Sequence, residues 1–119
     1  MKQQLISRAV VRNVRLSCKI SSSRIAIKEP RWLHVRGIRR LVLAGVSTNH
    51  SVEASARSAG NLGFMATVVA DACFAFEKRD YGGTLRSAED VHLMALANLD
   101  GEYARVATTG AVRDELMRG

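Results

Sequence analysis

The chain has 119 residues, of which 47% are apolar and 24% charged, and a formal net charge of +7. This length and composition are typical of one globular domain and exclude a disordered chain. No apolar run approaches the ~20 residues that a membrane-spanning helix needs, so we expect no membrane insertion. The two cysteines, Cys18 and Cys73, form no CxxC motif or Cys/His cluster, so no metal site is expected. Two unpaired thiols favour a reducing, cytoplasmic location.

The basic charge is concentrated at the start of the chain. Residues 1–40 contain eleven Lys or Arg and a single acid, Glu29, whereas residues 41–119 contain seven basic and ten acidic residues. A segment of this kind attracts phosphates without reading sequence. Because no aromatic residue precedes Trp32, it has no stacking platform for single strands, and we do not expect nucleic acid to be the main partner.

Residues 1–36 are predicted to form a separate, atypical basic segment. Apolar residues alternate with polar ones from Val14 to Ile20, which is the period of a strand, and residues 24–28 supply a second short strand of a basic hairpin. The same Arg- and Ser-rich composition also fits a transit peptide or a nucleic-acid-binding arm. A third interpretation is an unselected leader, from a displaced or truncated reading of a longer gene, placed before a genuine domain.

Strands and helices alternate from residue 37 onward. A short helix ends at Gly37 and is followed by a strand at 39–45, a helix at 50–62 and a strand at 66–70. After a loop at 71–86 come a helix at 88–100, a strand at 104–108 and a helix at 110–117. This order predicts an α/β fold with a parallel sheet covered on both faces.

The most informative stretch is the junction between the first of these strands and its helix. Apolar residues 41–44 lead into Gly45 and then into the polar run Ser-Thr-Asn-His-Ser at 47–51. A strand, a tight turn and a helix start direct free N–H groups and the positive end of the helix dipole at whatever occupies the turn. The pattern is typical of a site that stabilises an anion or a developing oxyanion.

Several motifs of this region occur together in one known family. They are GVSTNHSV at 45–52, SAR at 55–57, GNLGF at 60–64, VVADA at 68–72, SAEDVH at 87–92 and LANLDGEYARVATT at 96–109. In this combination and order the chain resembles the isochorismatase-like cysteine hydrolases over residues 37–119. The resemblance implies a three-layer αβα sandwich, of which this chain carries the C-terminal half as a partial domain.

The resemblance also implies the positions of a site. The nucleophilic cysteine of the family corresponds to Ser51, and the oxyanion donors correspond to the backbone N–H groups of Ser47 and Ser51. A cis peptide bond is expected between Val46 and Ser47, and Thr48, Asn49 and His50 are expected at the substrate pocket. We expect Thr48 and Asn49 to hold the turn through side-chain to backbone hydrogen bonds. The structural alternative is that Ser51 is only a serine of the helix cap or first turn, without a role in chemistry.

Three further side chains are candidates for chemistry. His50 is a poor base for Ser51, because adjacent residues of a helix do not face each other. His92 shares a helix face with two leucines and is expected to be a hydrogen-bonded histidine at the edge of the core. Asp71 follows a strand, and the resemblance implies that it is mainly a structural acid. The acid and the lysine that the family brings from its first half have no counterpart in residues 1–36.

The resulting functional prediction is a hydrolase that acts on a small amide C–N bond or a vinyl ether through a covalent intermediate, without a cofactor. Because a serine needs a positioned base that is missing here, we expect weak or absent activity. The alternatives are a non-catalytic oligomerising interaction protein, or gene fragment, and a basic nucleic-acid-binding module. An exposed edge of the strand at 39–45 predicts a homo-oligomer, unless the N-terminal strand covers it.

Overall fold

A computed structural model describes the backbone of residues 5–11, 14–20, 30–35 and 37–118, and the side chains of 33–35 and 37–118. The strands are β1 (Leu5–Val11), β2 (Val14–Ile20), β3 (Arg40–Val46), β4 (Met65–Phe74), β5 (Lys78–Arg79), β6 (Leu85–Arg86) and β7 (Arg105–Ala107). The α-helices are α1 (Pro30–Val35), α2 (Glu53–Asn61), α3 (Ala88–Leu99) and α4 (Thr109–Arg118), and a π-helix at Thr48–Val52 precedes α2.

The main sheet has five strands in the order β2-β1-β3-β4-β7. Strands β3, β4 and β7 are parallel, and Val68 at the centre of β4 is in register with Leu43 on one side and Val106 on the other. Parallel neighbours need crossover connections, which α2 and α3 supply. The predicted α/β fold is therefore confirmed. Because β1 and β2 join the sheet antiparallel, the sheet is mixed rather than wholly parallel.

The N-terminal hairpin differs from the one predicted. The strand at 14–20 is present, but its partner is β1 and not residues 24–28, which lie outside the described residues. Strand β1 lacks the alternation that marks β2, because Leu-Ile-Ser-Arg-Ala-Val-Val has apolar residues at both parities, so periodicity did not reveal it. Strand β1 also pairs with β3, through Arg8 opposite Ala44 and Ala9 opposite Leu43. The edge that motivated the oligomer prediction is thus covered within the chain.

The predicted loop at 71–86 contains regular structure. Strand β4 continues to Phe74. Its pairing with β3 is interrupted after Leu43, opposite Val68, and resumes where Gly45 lies opposite Cys73. The polar residue Asp71 lies in this interruption, which is why the apolar run ends before the strand does. Strands β5 and β6 then form a short hairpin, in which Asp80 accepts hydrogen bonds from the N–H groups of Gly83 and Thr84.

The core lies between the sheet and the helices that connect its parallel strands. Its fully buried members include Leu41 of β3, Val68 of β4 and Leu99 of α3, and α2 contributes two alanines with no exposed surface, Ala56 and Ala59. Val69 and Val112 are buried outside this cluster. Since Val69 alternates with Val68 along β4, α4 covers the opposite face of the sheet and completes a three-layer αβα arrangement.

Helix α2 approaches the chain between α3 and β7 more closely than a side chain would allow. A Cβ atom built on Gly60 would lie 2.7 Å from the carbonyl oxygen of Tyr103 and 3.1 Å from its Cα. Across the same contact the guanidinium of Arg57 lies 4.6 Å from the centroid of the Tyr103 ring. Small side chains on α2 therefore determine how α2 and the chain around Tyr103 pack.

We predict that Gly60→Ala lowers the free energy of unfolding by about 1–3 kcal/mol, because the added methyl meets backbone that cannot rotate away. Gly110→Ala in α4 is the matched control, since its nearest neighbour would be 4.0 Å away. There the higher helix propensity of alanine should stabilise the protein by up to ~1 kcal/mol. Urea denaturation measures both, and a Gly60→Ala variant at least as stable as the wild type would contradict the close approach.

Helix α4 is tied to the sheet through Asp71. One oxygen of this carboxylate accepts hydrogen bonds of 2.8 Å from both the hydroxyl and the backbone N–H of Thr109, at the first residue of α4. These two bonds, that of the hydroxyl first, lower the pKa of Asp71. Asp71 therefore acts as an anchor for a helix start, where a negative charge is favoured.

The stability that Asp71 contributes should depend on pH. Because its pKa is lower in the folded than in the unfolded chain, the contribution is complete above the ordinary value of 3.8 and is lost as the pH falls through the folded value. The difference in unfolding free energy between the wild type and Asp71→Asn should therefore be larger at pH 7 than near pH 3. Asp114→Asn, on α4, corrects for the general loss of one negative charge. A difference that does not change between these pH values would contradict the anchoring role.

Candidate active site

The backbone between β3 and α2 makes an abrupt turn. Gly45 has a φ of 148°, a conformation that side-chain-bearing residues rarely adopt, which explains a glycine at the end of the strand. The peptide bond between Val46 and Ser47 is cis, as the family resemblance implied. The five-residue π-helix Thr48–Val52 follows and leads directly into α2. The sequence predicts a helix at 50–62. Helical structure instead begins at residue 48 as a π-helix and becomes α-helical at Glu53.

Ser51 lies at the centre of this turn and has no exposed surface. Its hydroxyl donates a hydrogen bond of 2.9 Å to the carbonyl oxygen of Val46, five residues earlier. The hydroxyl proton is therefore directed at a neutral carbonyl, and no base accepts it among the described residues. At the N-cap position of the π-helix stands Ser47, not Ser51.

Ser47 holds the start of the π-helix by two kinds of hydrogen bond. Its carbonyl accepts from the N–H groups of His50 and Val52, at 3.2 Å each, and its hydroxyl donates to Oδ1 of Asn49. The sequence predicts that Asn49 bonds to the backbone of the turn. The oxygen of its side-chain amide instead accepts from the hydroxyl of Ser47, so the bond joins two side chains of the turn.

Thr48 is also completely buried, and its hydroxyl contacts α3 rather than its own turn. Its Oγ1 lies 2.8 Å from Nδ1 of His92. The expected side-chain to backbone bond is therefore not the one observed. His92, half-buried on α3, fits the expectation of a hydrogen-bonded histidine at the core edge. Its partner in the turn could not be predicted, because the two residues are 44 positions apart in the chain.

His50 and Ser51 point in different directions, as adjacent helical residues must. His50 is exposed, whereas Ser51 is buried. Cys73 is the other group with nucleophilic chemistry near the turn, since it lies opposite Gly45 in the β3–β4 register. It is only 3% exposed, and burial raises the pKa of its thiol. Cys73 therefore lacks the exposure and the lowered pKa of a reactive thiol.

A cavity of about 790 Å³ lies beside α3, between this helix and the β5–β6 hairpin. We call it the α3 groove. The π-helix and α2 contribute one residue each, Asn49 and Glu53, and the remaining lining residues belong to the hairpin and α3: Lys78, Arg79, Asp80, Tyr81, Arg86, Asp90, Val91, Leu93, Met94, Ala95, Ala97 and Asn98. Of the five predicted site residues, only Asn49 lines this cavity.

Among the described residues, no three His, Cys, Asp or Glu side chains are arranged to hold a metal ion. Within the same part of the chain, no helix is long and apolar enough to cross a membrane.

The site is thus a sharp strand-to-helix turn with a buried hydroxyl, in a three-layer α/β fold. Comparison with known proteins identifies the family. The model of the isochorismatase domain matches residues 29–111. The protein YrdC of Bacillus subtilis, of the isochorismatase family, is 32% identical over 99 residues, which are 83% of this chain and 53% of YrdC. The chain belongs to the isochorismatase family.

Solved structures show the same relationship. A protein of the isochorismatase family from Chromobacterium violaceum is 49% identical, with a TM-score of 0.73 over 75% of this chain and 46% of its own. A cysteine hydrolase from Pseudomonas syringae is 25% identical, with a TM-score of 0.69 over 74% of this chain and 41% of its own. The chain thus spans about half the length of the relatives it matches.

We predict that Thr48 and His92 are energetically coupled in their effect on the free energy of unfolding, because their side chains share a hydrogen bond. His92→Ala leaves the buried hydroxyl of Thr48 without its partner and should lower the free energy of unfolding by about 1–3 kcal/mol. Thr48→Val in the same chain should recover part of this loss, since it removes the unpaired hydroxyl. A double-mutant cycle by urea denaturation measures the coupling, expected at about 1 kcal/mol, and Thr48→Ser is the control that keeps the hydroxyl. Additive effects would contradict the coupling.

Proposed function

We propose that this chain carries the nucleophile turn of an isochorismatase-family hydrolase whose substrates are small molecules with an amide C–N bond or a vinyl ether. The covalent intermediate would form on the side chain of residue 51, and no cofactor takes part. With serine at this position the chain has weak or no hydrolytic activity. The observation that carries this proposal is the hydrogen bond from the buried Ser51 hydroxyl to the Val46 carbonyl.

A serine becomes nucleophilic when a positioned base takes its proton. A neutral backbone carbonyl holds the proton of Ser51 but does not remove it, and among the described residues no carboxylate or imidazole contacts this hydroxyl. A cysteine needs less help, because its thiolate forms near neutral pH once its pKa falls below the ordinary ~8.5. The start of a helix favours such an anion. These facts support an active turn with cysteine and an impaired one with serine.

The other residues of the turn have distinct proposed roles. The backbone N–H groups of Ser47 and Ser51 would stabilise the oxyanion of the tetrahedral intermediate. The burial of Thr48 against His92 supports a role in holding the turn rather than in contacting substrate. Asn49 lines the α3 groove and His50 is exposed, which leaves both accessible to a small molecule at the turn. The unpaired thiol of Cys73 fits a reducing, cytoplasmic setting.

We predict that Ser51→Cys raises the hydrolysis of nicotinamide-like amides or isochorismate-like vinyl ethers at least ~10-fold over the wild type, since a thiolate does not depend on the missing base. Ser51→Ala should have no activity. Ser55→Cys, a buried serine one turn further along α2, is the matched control for adding a thiol and should stay inactive.

Two readouts separate the parts of this proposal. The rate at which iodoacetamide alkylates the thiol of the Ser51→Cys variant, followed across pH, reports whether the turn lowers the thiol pKa, independently of substrate choice. Wild-type turnover that equals that of Ser51→Cys and disappears in Ser51→Ala would contradict the proposed impairment. A folded Ser51→Cys protein with neither turnover nor a lowered thiol pKa would contradict the hydrolase turn itself.

A further inference from the structure

The π-helix between β3 and α2 is held weakly by its own backbone. The carbonyl of Ser47 accepts from two N–H groups, those of His50 and Val52, at 3.2 Å each. This distance is at the long end of the range for such bonds, whose usual length is about 2.9–3.0 Å. At the other end of the segment, the N–H of Glu53 is shared between the carbonyls of Thr48 and His50. Contacts outside the backbone are therefore needed to fix how this segment winds.

The winding decides which carbonyl the N–H of Ser51 meets. In an α-helix each N–H donates to the carbonyl four residues earlier, which for Ser51 is that of Ser47. Here the Ser47 carbonyl accepts from residues 50 and 52 instead, and not from Ser51 between them. The π-helical winding thus keeps the N–H of Ser51 away from this carbonyl, whereas an α-helical winding would commit it there.

Two side-chain hydrogen bonds tie the π-helix to other elements of the described structure. The hydroxyl of Ser51 donates to the carbonyl of Val46, at the end of β3, over 2.9 Å. Oγ1 of Thr48 lies 2.8 Å from Nδ1 of His92, on α3. The bond that Ser47 donates stays within the turn. The winding of the segment therefore depends on one tie to the sheet and one tie to α3.

The tie to the sheet is weakened whenever residue 51 is a nucleophile. A serine has to give up its bond to Val46 in order to react, and a cysteine makes only a weak bond, because S–H is a poor donor. The tie from Thr48 to His92 then remains. Thr48 has no exposed surface, so its hydroxyl is obliged to keep its partner, and the half-buried His92 supplies it.

We propose that His92 is a positioning residue of this site. Through its hydrogen bond to Thr48, it holds the π-helical winding that keeps the N–H of residue 51 free to stabilise an oxyanion or a thiolate. This role rests on the proposed function, in which residue 51 carries the nucleophile. It goes beyond the stability of the fold, because it makes the chemistry of residue 51 depend on a side chain of α3 that does not contact the substrate.

The reactivity of a thiol at position 51 tests this role. In the Ser51→Cys chain, His92→Leu should raise the pKa of the thiol and lower its rate of alkylation by iodoacetamide at pH 7 at least ~5-fold, because the N–H that stabilised the thiolate turns to Ser47. The rate at high pH, where the thiol is fully ionised, should change little. His92→Asn has the shape of His92→Leu but keeps a polar atom near the position of Nδ1, so it should retain most of the rate.

The same hydrogen bond can be removed from its other end. Thr48→Val should lower the alkylation rate by the same factor as His92→Leu, and the two changes together should lower it no further. His34→Ala is the matched control for the loss of a histidine and should leave the rate unchanged, because His34 stacks on Phe64, beyond the far end of α2. Circular dichroism establishes that each variant remains folded.

Crystal structures in the Ser51→Ala chain, which lacks the tie to Val46, give a readout that needs neither turnover nor a thiol. With His92→Leu added, the Ser47 carbonyl should accept from the N–H of residue 51, and with His92→Asn it should not. A π-helix retained with His92→Leu would overturn the positioning role, as would alkylation insensitive to His92→Leu and Thr48→Val.

These outcomes are separate from the failure of the proposed function. A lowered thiol pKa in the Ser51→Cys chain that His92→Leu does not raise overturns the role of His92 and leaves the hydrolase turn standing. An ordinary thiol pKa without turnover contradicts the hydrolase turn, and the winding seen in the crystal structures then decides whether His92 holds the π-helix.

Discussion

The structure depends on one junction, where the end of β3 meets the π-helix. Thr48 and Ser51 are completely buried there, and each hydroxyl finds a partner that keeps it from being an unpaired polar group in the core. Ser51 bonds back to the strand through the Val46 carbonyl, and Thr48 bonds across to His92. The junction therefore connects the sheet, the start of α2 and the middle of α3. A change in any of these three elements should therefore alter the surroundings of residue 51.

This arrangement has a chemical consequence at position 51. Burial makes a hydrogen bond for the serine hydroxyl obligatory, and the nearest acceptor is a backbone carbonyl, which neither activates nor releases the proton. A thiol at the same place would lose little by leaving that carbonyl, because S–H is a weak donor. Under the proposed function, cysteine at this position would therefore be a better nucleophile than the serine that this chain carries. Cys73, beside the turn but buried in the core, does not compensate.

The chain spans about half the length of the relatives it matches, and its described residues share one core. Three parallel strands and their two crossover helices make a core that closes around Val68 and Leu99, and the β1–β2 hairpin covers the free edge of β3. On the outer side of α3, the side chains of Leu93 and Met94 remain more than half exposed. The same helix supports the turn from its inner side, through the contact of His92 with Thr48.

The sequence by itself determined the α/β class, the order of the parallel strands and α-helices from β3 to α4 and the motif positions of the turn, because strand and helix periods and glycine positions are local properties. It placed a loop where the β5–β6 hairpin lies. It did not reveal β1, whose apolar residues do not alternate, or the continuation of β4 beyond the interruption at Asp71. Tertiary structure alone decided that Thr48 meets His92, that the Ser51 hydroxyl faces the Val46 carbonyl and that Gly60 lies against Tyr103. The first and third of these contacts join distant residues whose proximity depends on how the helices pack on the sheet. The second joins residues only five positions apart, but it depends on the three-dimensional path of the turn, which no periodicity encodes.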